Sequence, residues 1–106
     1  MKVRLKDKSV NLDKVDPIMF YAIHETALVY EQRGYTLTLT SVNDGVHSPN
    51  SLHPKGRAFD ARTRNVPVAE RPALRADVQE VLGEDFDVVL EKDHLHVEYQ
   101  PEGETK

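Results

Sequence analysis

Two runs near the C-terminal end, Phe86-Asp87-Val88-Val89-Leu90-Glu91 and His94-Leu95-His96-Val97-Glu98-Tyr99, are separated only by Lys92-Asp93. Alternating apolar side chains make each run a half-buried strand, and a two-residue gap between them predicts an antiparallel hairpin. Upstream, the period changes. Asp16-Pro17 reads as an N-cap followed by proline at the first helical position. Met19, Ala22, Ile23, Ala27 and Tyr30 then recur at three- and four-residue steps. This spacing predicts a helix over 17–33, stopped by Gly34. Tyr35 to Thr40 alternates apolar residues with threonine and predicts a strand. Residues 41–54, rich in Ser, Asn, Asp, Gly and Pro, read as an ordered loop.

Gly56 to Thr63 predicts a second strand, with Ala58 and Asp60 on one face and Phe59 on the other. Residues 64–67 form a loop. Leu74, Val78, Val81 and Leu82 give helical spacing over 68–82, closed by Gly83. At the start of the chain, Val3 and Leu5 alternate with Lys and Arg, consistent with a short edge strand. Residues 101–106 read as a loose polar tail. The expected fold class is α+β: a small, mainly antiparallel sheet with two packed helices, forming one domain over 1–106.

Composition removes several function classes. With 14 Lys and Arg against 18 Asp and Glu, the formal net charge is −4. Such a chain lacks the basic footprint of a nucleic-acid binder and has no polybasic membrane patch. The absence of cysteine excludes disulfide scaffolds, thiol nucleophiles and Cys-ligated metal sites. No apolar stretch approaches the ~20 residues of a membrane-spanning helix. Residues 1–8 lack the apolar core of a secretory signal, so the expected location is cytoplasmic as synthesised, unless something releases the chain.

Four of the five histidines lie in two short stretches, around His47 and His53 and at His94 and His96. Zinc takes imidazole nitrogen and carboxylate oxygen, and a catalytic site keeps three protein ligands and one open position. His53, Asp60 and His96 would supply such a set, with Gly56 letting the backbone turn between the first two. If Lys92-Asp93 is a two-residue turn, Glu91 stands opposite His94 and points to the same face. A carboxylate would then converge with imidazoles on one surface, as a general base near a metal requires. The helical H-E-x-x-H zinc-binding pattern is absent. Each stretch taken alone also fits ordinary strand histidines and a Ser-capped turn.

The segment Ser51-Leu52-His53-Pro54-Lys55-Gly56-Arg57-Ala58-Phe59-Asp60 matches S-x-H-x-x-G-x-A-x-D. It resembles the signature of the VanY-like zinc D,D-carboxypeptidase and L,D-endopeptidase family, including its small phage-encoded members. Residues 44–53 are also similar to the corresponding segment of the hedgehog signalling domain, which shares that fold, and His94-Leu95-His96 resembles its later H-x-H. The resemblance covers roughly residues 36–101.

It implies zinc held by His53, Asp60 and His96, and hydrolysis of peptide bonds in bacterial peptidoglycan. The metal would polarise the scissile carbonyl and activate water. The general base is Glu91 by the hairpin argument. Asp93 is the alternative, because Asp93-His94-Leu95-His96 fits the family's D-x-x-H variant. His94 and His47 resemble accessory histidines that bond the oxyanion or the water.

Ser51 is expected to order the loop holding His53. Arg57 and Arg62 are candidates for a substrate carboxylate, Arg57 the preferred one, with Arg62 reading as a solvated strand residue. Glu98 shares the His96 face and could orient a ligand, whereas His24 reads as structural. Of the acidic residues forming the hedgehog calcium site only Asp44 obviously remains, which argues against calcium binding. The Y-R-S type segment of many of the carboxypeptidases is missing.

The expectation is therefore a monomeric zinc metallopeptidase whose partner is a peptidoglycan peptide, with no nucleic acid and no membrane. The alternative is a non-catalytic, zinc-stabilised, hedgehog-like binding module.

Overall fold

The computed structural model describes residues 2–13, 15–42 and 56–101. In chain order the elements are β1 (Val3–Leu5), α1 (Ile18–Gln32), β2 (Leu37–Val42), β3 (Ala58–Arg62), α2 (Arg71–Leu82), β4 (Phe86–Leu90) and β5 (His94–Tyr99), with a single 3-10 turn at Val68–Glu70 leading into α2. The strands form one five-stranded sheet in the order β1-β2-β3-β5-β4. Only β1 and β2 are parallel; every other pair is antiparallel. This is the expected α+β class, with both helices packed on one face of the sheet.

Local chemistry explains the boundaries of α1. Asp16 accepts the Ile18 N–H through its carboxylate (3.1 Å) and the Met19 N–H through its carbonyl (2.8 Å), so it caps the helix ahead of Pro17. At the other end Gly34 has φ +87, its N–H donates to the Glu31 carbonyl (2.9 Å), and the Tyr35 N–H donates to the Tyr30 carbonyl (2.9 Å). Those paired bonds are a Schellman cap. They take up Tyr35, which is why β2 begins at Leu37 and not at Tyr35 as the alternation predicts.

β2 also runs further than expected, to Val42, because it contains a bulge. Leu39 pairs with Ala61, but Ser41 pairs with Asp60 and Val42 with Phe59, leaving Thr40 as the extra residue. A bulge shifts the side-chain phase by one. Leu37 and Leu39 face the helices, and the shift brings Val42 onto that same face.

The core lies between the helices and this face. Met19, Tyr30, Leu37, Leu39, Val42, Phe59, Leu74, Val78, Leu95 and Val97 are almost wholly excluded from water. The Tyr30 hydroxyl donates to the Arg62 carbonyl (2.8 Å), tying α1 to β3, and burial pushes that phenol well above its usual pKa. Arg33 joins the helices through Asp77 (2.6 Å). Gln79 of α2 donates to the Phe86 carbonyl (2.7 Å) and accepts the Val88 N–H (3.1 Å), which fixes α2 against the β4 backbone. Among the described residues no helix covers the opposite face of the sheet, and none is long and apolar enough to cross a membrane.

Candidate functional site

The open face of the sheet collects the polar members of β3 and β5. These strands pair with Ala58 opposite Glu98, Asp60 opposite His96, and Arg62 opposite His94. Directly opposed residues project to the same side, so the alternation that buries Phe59, Ala61, Leu95 and Val97 turns Asp60, His94, His96 and Glu98 outward together. On the far side of β5, Val89 lies opposite His96. The Glu91 N–H donates to the His94 carbonyl (2.8 Å), so Lys92-Asp93 spans the hairpin and Glu91 opposes His94.

The side chains form a short charged chain. His96 Nδ1 is 2.9 Å from Asp60 Oδ1, and His96 Nε2 is 3.2 Å from Glu98 Oε1. A carboxylate only accepts, so both ring nitrogens donate when His96 is protonated. The hydrogen bond to Asp60 is the main reason the His96 pKa is raised to about 9; Glu98 adds to it, and partial burial opposes it. Glu98 in turn accepts from the Gln100 amide (2.6 Å).

His94 stands beside this pair. Its Nδ1 donates to Asp93 Oδ1 (2.8 Å), and its Nε2 is 3.8 Å from Asp60 Oδ1. The hydrogen bond from His94 holds the Asp93 carboxyl below its ordinary value. It also fixes the His94 tautomer. Nδ1 carries a proton toward Asp93, and Nε2 lies on the side of Asp60.

Of the residues singled out by sequence, Asp60, Glu91, Asp93, His94 and His96 therefore share one end of the open face. Asp93 does more than turn the chain, because its carboxylate orients His94. His47, Ser51 and His53 lie outside the described residues. Gly56, on the C-terminal side of that segment, has φ +90, a conformation that favours glycine, and its carbonyl accepts the Asp16 N–H (2.9 Å). Arg57 is engaged by Asp16 (Nε to Oδ2, 3.0 Å) and lies over the Tyr99 ring (5.1 Å to the centroid). His24 is on α1 beside Glu25 (3.1 Å), away from the sheet's open face.

Among the described residues, no group of three or more His, Cys, Asp or Glu is arranged to hold a metal ion. Asp60 and His96 are two members of the expected set of three. Sequence reading did not anticipate Ser41, brought opposite Asp60 by the β2 bulge, or Lys6 and Arg64 near His94. The only available signal was that Leu37, Leu39 and Val42 cannot share a face without an extra residue. No family model matches the chain, and no curated protein matches it.

Proposed function

We propose that the chain is a single-domain zinc metallopeptidase that hydrolyses peptide bonds of bacterial peptidoglycan. The observation that carries this reading is the 2.9 Å approach of Asp60 Oδ1 to His96 Nδ1 on adjacent strands. Two ligand atoms sharing one tetrahedral zinc are about 3.3 Å apart, from bonds of about 2.0–2.1 Å. Exchanging the shared proton for a metal ion thus needs an opening of a few tenths of an ångström. Aspartate and histidine are both ordinary zinc ligands, and Glu98 supplies the carboxylate that commonly orients a ligating imidazole.

His53 is the third ligand in this reading. It is five residues from Ala58, a tether of at most about 17 Å. The resemblance of residues 51–60 to the VanY-like signature points to the same three residues.

Zinc held by His53, Asp60 and His96 would supply Lewis acidity for the scissile carbonyl and lower the pKa of water at the site. Glu91 takes the proton of the attacking water and passes it to the leaving amine. His94, oriented by Asp93 through Nδ1, donates from Nε2 in its doubly protonated form to the oxygen that gains charge. Glu98 keeps His96 turned toward its ligating position.

The test is incubation of the zinc-loaded chain with purified peptidoglycan fragments, with products identified by mass spectrometry and bound metal by elemental analysis. A stoichiometric transition metal and a new peptide cut are expected. Glu91→Gln should keep the zinc and lower turnover about 10²–10⁴-fold. Unchanged turnover in that variant would move the base role to Asp93. Bound zinc with no product would favour the binding module, and absence of stoichiometric metal would sink both readings.

A further inference from the structure

A recess of about 240 Å³ opens beside His94, lined by Lys6, Thr40, Arg62, Arg64, Asp93 and His94. Half of these residues are permanently cationic, in a chain whose formal net charge is −4. Four strands or their ends contribute. Lys6 continues β1, its N–H donating to the Leu39 carbonyl (2.9 Å). Thr40 is the bulged residue of β2, and Arg62 on β3 lies opposite His94 on β5. Arg64 and Asp93 are drawn in by the Thr63 N–H, which donates to the Asp93 carbonyl (3.0 Å).

Elsewhere Arg33 is neutralised by Asp77 and Arg57 by Asp16, while Arg71 and Arg75 are used as donors to the Val66 and Val88 carbonyls. Among the described residues Lys6, Arg62 and Arg64 have no such ion pair. The one carboxylate in the recess, Asp93, accepts from His94. A larger recess of about 360 Å³, between Lys2, Glu31, Tyr35 and Thr36, contains no histidine and balances one cation with one acid.

We propose that the recess beside His94 binds a carboxylate of a peptide ligand, with Arg62 and Arg64 as hydrogen-bond donors and Lys6 as a third positive charge. Guanidinium groups match the planar carboxylate, and a charged bond of this kind is about twice as strong as a neutral one. The inference rests on the peptidase reading for its ligand class and deepens it. A carboxylate at this position places the adjoining peptide bond on the side of Asp60 and His96. A chain-terminal carboxylate there makes the enzyme a carboxypeptidase, and an acidic side chain makes it an endopeptidase.

The experiment titrates the full chain, metal-stripped and zinc-loaded, with N-acetyl-D-alanyl-D-alanine, with its C-terminal amide, and with an amidated peptide bearing a D-glutamyl carboxylate. Binding is read by calorimetry at low and high salt. One of the two carboxylates is expected to bind at least about tenfold more tightly than the uncharged amide, with the advantage shrinking in salt. Preference for the first probe identifies a chain terminus, and preference for the third an acidic side chain.

Arg62→Ala and Arg64→Ala should each remove most of the advantage. Arg64, in a loop, serves if Arg62→Ala fails to unfold cooperatively. Equal binding of acid and amide, no binding of any probe, or full affinity in both arginine variants overturns the proposal. Carboxylate binding to the metal-stripped chain without cleavage by the zinc-loaded one overturns only the peptidase reading. Cleavage that ignores Arg62 and Arg64 overturns only this one.

Discussion

The Thr63 hydroxyl is fully buried and has no hydrogen-bond partner among the described residues. Its backbone is satisfied, the N–H by the Asp93 carbonyl and the C=O by the Val66 N–H (2.8 Å). By alternation from Phe59 and Ala61 its side chain faces the core, so the hydroxyl was removed from water without compensation. Thr63→Val keeps the branched shape and deletes the unpaired group. Its expected effect is a gain of about 1 kcal/mol, about 5 °C in Tm for a domain of this size. Thermal unfolding of the two proteins decides it; a loss of similar size would mean that the hydroxyl has a partner in solution.

At the scale of elements, the β2 bulge separates what could be read in the sequence from what could not. The hairpin was legible because its register follows from strict alternation and a two-residue gap. That register alone puts Glu91, His94 and His96 on one face. The Asp60 face followed equally from the alternation of Ala58, Phe59 and Asp60. β2 was legible only to Thr40, where the period of two fails.

The parallel pairing of β1 with β2, and with it the approach of Lys6 to His94, left no local signal, because the partners are joined through α1. A pair of single-residue deletions tests this account. Removing Thr40 leaves Leu37, Leu39 and Val42 at even spacing, so the core face survives and only the bulge is lost. Removing Thr38 sets two leucines side by side and turns one out of the core, at a cost of about 2–5 kcal/mol. The Thr40 deletion should therefore unfold cooperatively near the parent Tm and the Thr38 deletion far below it. The reverse order would show that the bulge, and not the phase of the apolar residues, holds β2 in place.

Over the whole molecule, the His96 cluster ties stability to pH, and under the proposed zinc reading metal uptake should respond to pH in the opposite direction. Asp60 and Glu98 raise the His96 pKa from 6.5 to about 9 in the folded chain. A group that binds its proton more tightly when folded stabilises the fold fully below its unfolded pKa, and that contribution disappears as pH rises through the folded one. The metal-stripped chain should therefore lose stability between about pH 6.5 and 9. His96→Gln, which has no proton to lose there, should flatten that decline.

In the proposed zinc site a metal ion would have to displace the same proton, so its binding would be weakened wherever His96 is charged. The rise in Tm on adding zinc should accordingly grow across the same interval, while the metal-free Tm falls. Melting curves at fixed ionic strength, with chelator and with zinc, measure both trends on one sample. A zinc increment that stays constant from pH 6.5 to 9 would mean that the ion does not compete with the His96 proton. His96 would then not be a ligand, whatever else the chain binds.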